Sequence, residues 1–169
     1  MSVLKVVKYP DPVLKKVCAP VTAWTPELQV LLDNMCETMY ADEGMGIAAN
    51  QVGVSLRIFI MDENPEFKQP LIFINPEIVF ESEETDDLEE GCLSFPGIRI
   101  AVKRPIKVVV KALDREQKEF LCEREGYAAR CLLHELDHLN GITFFERISQ
   151  LKRKIAEKKL AKFRHTAAM

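Results

Sequence analysis

Two of the three histidines in this 169-residue chain stand four residues apart, with two carboxylates between them: His134-Glu135-Leu136-Asp137-His138. On an α-helix, residues i and i+4 project from one face, one turn apart. Two imidazoles held that way can grip one metal ion, with Glu135 beside it as a proton carrier. A metal that does chemistry usually has three protein ligands and an open position for water. The plainer alternative is a surface helix with two solvated histidines.

The third ligand is not obvious. Cys131 precedes His134 by three residues but lies seven from His138, about 10 Å along a helix axis. Metal–sulfur bonds are near ~2.3 Å, so Cys131 is badly placed to join both histidines and reads as a small core residue. The run from His134 to Gly141 matches the start of the metzincin pattern, but Phe144 stands where that pattern has its third histidine. A downstream glutamate is the other familiar solution. Glu146 and Glu157 are available, without any distinctive surroundings. His165 lies in a polar tail and reads as a solvated residue.

The helix that must carry these groups is well specified. Ala128, Ala129, Leu132, Leu133, Leu136 and Leu139 surround the histidines without a proline, and Asn140-Gly141 supplies a stop. Leucines on several sides imply a mostly buried helix. An earlier helix starts at Thr25-Pro26 with a core face of Leu28, Leu31, Leu32, Met35 and Met39, and Gly44 and Gly46 end it. Strand-like runs follow at 57–61, at 71–75 continuing past Pro76 through 77–80, and at 98–102, 107–112 and 120–122. Their close succession predicts antiparallel pairing, and helices bracket them rather than alternate with them. The fold class is therefore α+β: small, mostly antiparallel sheets around a central metal-binding helix, with a helix in the N-terminal half and another at the C-terminus. The acidic stretch 81–87 reads as a solvated loop or exposed edge.

Composition sets the frame. With 47% hydrophobic and 29% charged residues and a net charge of −3, the chain reads as one domain over residues 1–169. No apolar run approaches the ~20 residues of a membrane span. The start, Met1 to Lys8, lacks the apolar region and cleavage site of a signal peptide. Five cysteines, an odd number, point to thiols in a reducing cytoplasm.

Two further motifs bear on the chemistry. Glu90-Gly91-Cys92-Leu93-Ser94 lies between strand-like runs, where a cysteine after a permissive glycine can present its sulfur and neighbouring N–H groups. Gly44-Met45-Gly46-Ile47-Ala48-Ala49-Asn50-Gln51 has small residues that allow close backbone approach, and Gln51 can donate its amide to a polarised carbonyl. A phosphate loop is excluded, because its lysine and Ser/Thr are missing.

Taken in order, G-x-G-x-A-A-x-Q, E-G-C-L-S and H-E-x-x-H resemble the peptide deformylase family. Tyr9-Pro10-Asp11-Pro12, Leu14 and a basic terminal helix extend the likeness over nearly the whole chain. The resemblance implies removal of the formyl group from formylmethionyl nascent polypeptides, with release of formate. It implies Cys92, His134 and His138 as metal ligands. Helix geometry alone does not choose Glu135 over Asp137; the resemblance gives Glu135 the base-then-acid role and leaves Asp137 a supporting one. It also implies Gln51 and the backbone N–H of Leu93 as oxyanion donors, and a methionine pocket near Met45, Gly46, Gly91, Arg99, Arg130 and Cys131. Arg130 stands where the bacterial pattern often has an aliphatic residue, so its stem is expected to line the pocket while its charge reaches solvent.

The implied metal is Fe²⁺ in the cell, with Zn²⁺ or Ni²⁺ able to occupy a His₂Cys site in isolated protein. The last helix, about 149–164, carries Lys152, Arg153, Lys154, Lys158, Lys159, Lys162 and Arg164, with Leu151, Ile155, Leu160 and Phe163 as its apolar side. It is either a solvated amphipathic helix or, by the resemblance, a contact to ribosomal RNA. No DNA or membrane partner is expected. A general metalloprotease and a non-catalytic metal-binding module are the competing readings.

Overall fold

The computed structural model describes residues 2–168, with side chains through Arg164; the side chain of His165 lies outside the described residues. Helix α1 (Pro26–Ala41) begins where the sequence predicts, with the Thr25 hydroxyl accepting the Leu28 N–H at 3.1 Å and Pro26 at its first position. It ends at Ala41, before the two glycines, and Glu43 makes the exit with φ 55°.

Seven strands follow: β1 (Gly46–Ala48), β2 (Ile58–Met61), β3 (Leu71–Glu81), β4 (Thr85–Gly91), β5 (Arg99–Pro105), β6 (Lys107–Leu113) and β7 (Glu119–Glu125). All pair antiparallel, in a five-stranded sheet ordered β1-β2-β3-β6-β7 and a separate β4–β5 hairpin. This is the expected α+β architecture. Strand β3 does cross Pro76, which cannot donate to the ladder. The register shifts between Ile74 and Glu77 there, and Asn75 takes φ 51°.

Two strands were not evident in the sequence. Strand β1, Gly46-Ile47-Ala48, is three residues long, too short to show alternation. Of the two readings of the acidic stretch, β4 makes residues 85–87 an exposed edge and not a loop: Thr85, Asp86 and Asp87 pair with β5. Charges along its exposed side hid the pattern.

The larger sheet is covered on both faces, which explains why all four residues of β2 are buried. Ile58, Ile60, Ile72 and Ile74 pack with Leu28, Leu32, Met35 and Met39 of α1. Phe59, Met61 and Phe73 point the other way, onto Leu132, Leu133 and Leu136 of α2 (Gly126–Leu139). Helix α2 is buried without interruption from Leu132 to Leu139, between the sheet and the hairpin.

Gly141 closes α2 with φ 71°, and a Cβ there would lie 2.5 Å from the Lys15 carbonyl oxygen. Only glycine allows the N-terminal segment to cross so closely.

A third cluster, Phe95, Ile98, Phe144, Phe145, Ala156 and Leu160, seats helix α3 (Gln150–Ala168). Its apolar side is narrower than the sequence suggests. Ala156 and Leu160 are buried, but Leu151 and Ile155 are 70% and 50% exposed. No helix among the described residues is long and apolar enough to cross a membrane.

Candidate metal centre and active site

Helix α2 sets His134 and His138 one turn apart, with their Nε2 atoms 3.2 Å from each other. Cys92 arrives from the end of β4, and its Sγ lies 3.3 Å from His138 Nε2. Among the described residues, these three form the one group whose ligand atoms all lie within 4.8 Å. Tetrahedral bonds of about 2.0–2.1 Å to nitrogen and ~2.3 Å to sulfur would separate neighbouring ligand atoms by roughly 3.3–3.6 Å. The donor set fits a divalent metal.

Charge at the site points the same way. Burial and the neighbouring His134 hold His138 well below the ordinary histidine range, so its imidazole is neutral. At His134 burial works downward too, but the Cys92 sulfur and Glu90 outweigh it and draw positive charge in. Neutral histidine and sulfur around a spot that attracts cations is what a metal requires.

The other candidate ligands are engaged elsewhere. Phe144 packs edge-on against the His134 ring, with centroids 5.8 Å apart. Glu146 accepts the Thr143 N–H at 3.0 Å, and Glu157 pairs with Arg153 at 2.9 Å. Cys131 is outside the ligand group. Its Sγ would sit 3.0 Å from a Cβ on Gly46.

Beside the three ligands opens a cavity of about 420 Å³. Gln51, Leu93 and Glu135 line it, as do Met45, Gly46, Gly91, Arg99, Arg130 and Cys131, so every residue expected at a substrate pocket is brought to one place. Gly46 shows why its position is small: a Cβ would stand 3.1 Å from both Cγ and Oε1 of Glu135. Gln51 is locked in orientation. Its Oε1 accepts the Ala48 N–H at 2.9 Å, and its Nε2 donates to Ser94 Oγ at 3.1 Å and toward Cys92 Sγ at 3.4 Å.

The two carboxylates of the helix motif are now distinguished. Asp137 accepts from Arg104 at 2.8 Å and from Arg147 at 2.7 and 3.0 Å. Glu135 faces the cavity, and its Oε2 is buried without a hydrogen-bond partner among the described residues. Burial pushes its carboxyl up to about 7.

Several residues at the site escaped the sequence reading. Glu90 binds His134 Nδ1 at 2.9 Å, Arg104 Nη2 at 2.9 Å and Arg130 Nη1 at 2.8 Å. Its spacing of two from Cys92 was a usable signal, because alternate strand residues share a face. Ser94 stood in the same motif as Cys92 without an assigned role, and Arg104 and Tyr127 gave no signal.

Arg130 corrects an expectation. Its charge does not reach solvent: the side chain is 3% exposed, with its guanidinium bound to Glu90, Asp86 and the Val102 carbonyl.

A family model described as polypeptide deformylase matches residues 3–154. The chain belongs to the polypeptide deformylase family. It is 44% identical over 168 residues to a peptide deformylase of Saccharophagus degradans, covering 99% of this chain and 98% of that one. A peptide deformylase of Rhizobium meliloti is 45% identical over 164 residues, covering 96% and 94%. The crystal structure of a peptide deformylase from Legionella pneumophila superposes with a TM-score of 0.95 at 44% identity, covering 98% of both chains. Deformylases are metal-dependent hydrolases that remove the formyl group from N-formylmethionyl nascent peptides, and that is the reaction of this chain.

Proposed function

We propose that Cys92, His134 and His138 hold the divalent metal of this deformylase and that Glu135 moves the protons of the reaction. The observation that carries this reading is the convergence of three ligand atoms within 4.8 Å beside a buried carboxylate oxygen without a partner among the described residues. A metal held there would acidify a bound water and polarise the formyl carbonyl. Glu135 takes the water's proton and returns it to the departing amine nitrogen. A carboxyl near 7 suits both directions of transfer at neutral pH.

Gln51 Nε2 and the Leu93 N–H stabilise the developing oxyanion. The fixed orientation of the Gln51 amide supports this, because a preorganised donor need not reorganise during the reaction. The methionine side chain enters between Met45, Gly46, Gly91, Arg99, Cys131 and the stem of Arg130. Both β1 and β4 stand at sheet edges beside the cavity, which suits an extended peptide.

The metal is Fe²⁺ in the cell, with Zn²⁺ or Ni²⁺ able to replace it in isolated protein. The chain acts as one cytoplasmic domain. The exposed Lys152, Lys154, Lys158 and Lys159 of α3 support a contact to ribosomal RNA.

The test is formate release from formyl-Met-Ala-Ser by freshly metallated protein, with Glu135→Gln as control. Release that E135Q abolishes is the expected result. Internal cleavage without formate would instead make the site a protease.

A further inference from the structure

Cys92 follows directly on β4, and among the described residues β4 pairs with nothing but β5. A two-stranded hairpin is marginal on its own. The placement of Cys92 against α2 therefore depends on side chains that tie the hairpin to the helix. Arg130 reaches furthest along it. From α2, its Nη2 donates to Asp86 Oδ1 at 2.6 Å and to the Asp86 carbonyl at 3.1 Å, near the start of β4. Its Nη1 donates to Glu90 Oε2 at 2.8 Å, near the end of β4, and to the Val102 carbonyl at 2.6 Å on β5. One buried guanidinium thus spans both ends of β4 and its partner strand.

We propose that Arg130 is a positioning residue that latches the β4–β5 hairpin onto α2 and thereby holds Cys92 against His134 and His138. The inference rests on the metal-site reading above. Arg130 touches none of the three ligands; it acts through the backbone that carries Cys92.

Removing Arg130 does not strand Glu90, which keeps Arg104 and His134 as partners. What is lost is the hold on Asp86 and Val102. Lysine has its three donors on one nitrogen and cannot span acceptors as far apart as Asp86 and Glu90, so R130K keeps one arm of the latch at most. Asp86 is half-buried and does not line the cavity, so D86A opens the far end without reshaping the pocket.

Cobalt(II) is the probe, since the band from Cys92 sulfur to cobalt reports the bond the latch protects. Wild type, R130M, R130K and D86A are loaded with Co²⁺, and the decay of that band is followed in excess chelator. Loss about tenfold or more faster is expected in R130M, the range usual for residues that support metal ligands. D86A and R130K should fall between R130M and wild type. Hydrogen exchange on the same proteins should quicken in β4 and β5 but not in β6 and β7. Wild-type stripping rates in R130M and D86A would overturn the latch, as would faster exchange spread equally over both sheets. Wild-type protein that shows no sulfur-to-cobalt band would overturn the metal-site reading itself, and the latch with it.

Discussion

The Glu90 carboxylate stands 2.9 Å from Nδ1 of His134. Burial pushes the Glu90 carboxyl up, but hydrogen bonds from His134 and Arg104 and the arginine charge outweigh it and hold it at about 2. Ionised, it can only accept, so Nδ1 of His134 carries a proton and Nε2, which faces Cys92 and His138, is the nitrogen left for a metal.

Replacing Glu90 with glutamine keeps the shape and removes the charge that two buried guanidiniums share. A loss of stability on the order of 3 kcal/mol at pH 7 is expected from breaking such a pair. Because the folded carboxyl is depressed, its contribution is complete above the free value of about 4.3 and fades as pH falls toward 2. Urea unfolding should therefore separate E90Q from wild type at pH 7 and much less near pH 2. An equal gap at both pH values would contradict this.

Glu135 and Asp137 should respond in opposite ways. E135Q is expected to lower kcat by about 10²–10⁴ with metal content and melting temperature near wild type. D137N takes the charged partner from Arg147 and leaves Arg104 with Glu90 alone, and should show first as lost stability. Calorimetry alongside formate release tells the two apart.

Cys92 and Cys131 provide a second contrast. C92S should weaken metal binding and activity together, whereas C131S should keep its metal, because its sulfur lies outside the ligand group. Chelation should abolish formate release, and Fe²⁺ should restore it. Iron-loaded protein should lose activity in air through oxidation of the metal or Cys92. Metal analysis and a thiol count follow each step.

Gly141→Ala tests the crossing of the N-terminal segment. With φ 71° and the Lys15 carbonyl 2.5 Å from the new Cβ, backbone must move. A cost of at least 1–2 kcal/mol is expected, roughly the penalty of a strained backbone position plus the clash. A melting temperature equal to wild type would refute the packing argument.

The sequence by itself determined α2, its two histidines and the family to which the chain belongs. Helical spacing is a local property, and three ordered motifs are visible without a fold. It also specified α1, through Thr25, Pro26 and the apolar residues that follow. Local pattern failed where pairing rather than side chains defines the element: β1 is too short, and β4 is acidic along its exposed side.

Tertiary structure alone decided which atoms meet. Cys92 and His138 are 46 residues apart and come within 3.3 Å because the hairpin folds back on α2. It separated Glu135 from Asp137 by occupying one with arginines and leaving the other facing the cavity. It also turned Arg130 inward. A guanidinium that sequence reads as seeking solvent is buried here because carboxylates from β4 lie within its reach, and no spacing along the chain encodes that distance.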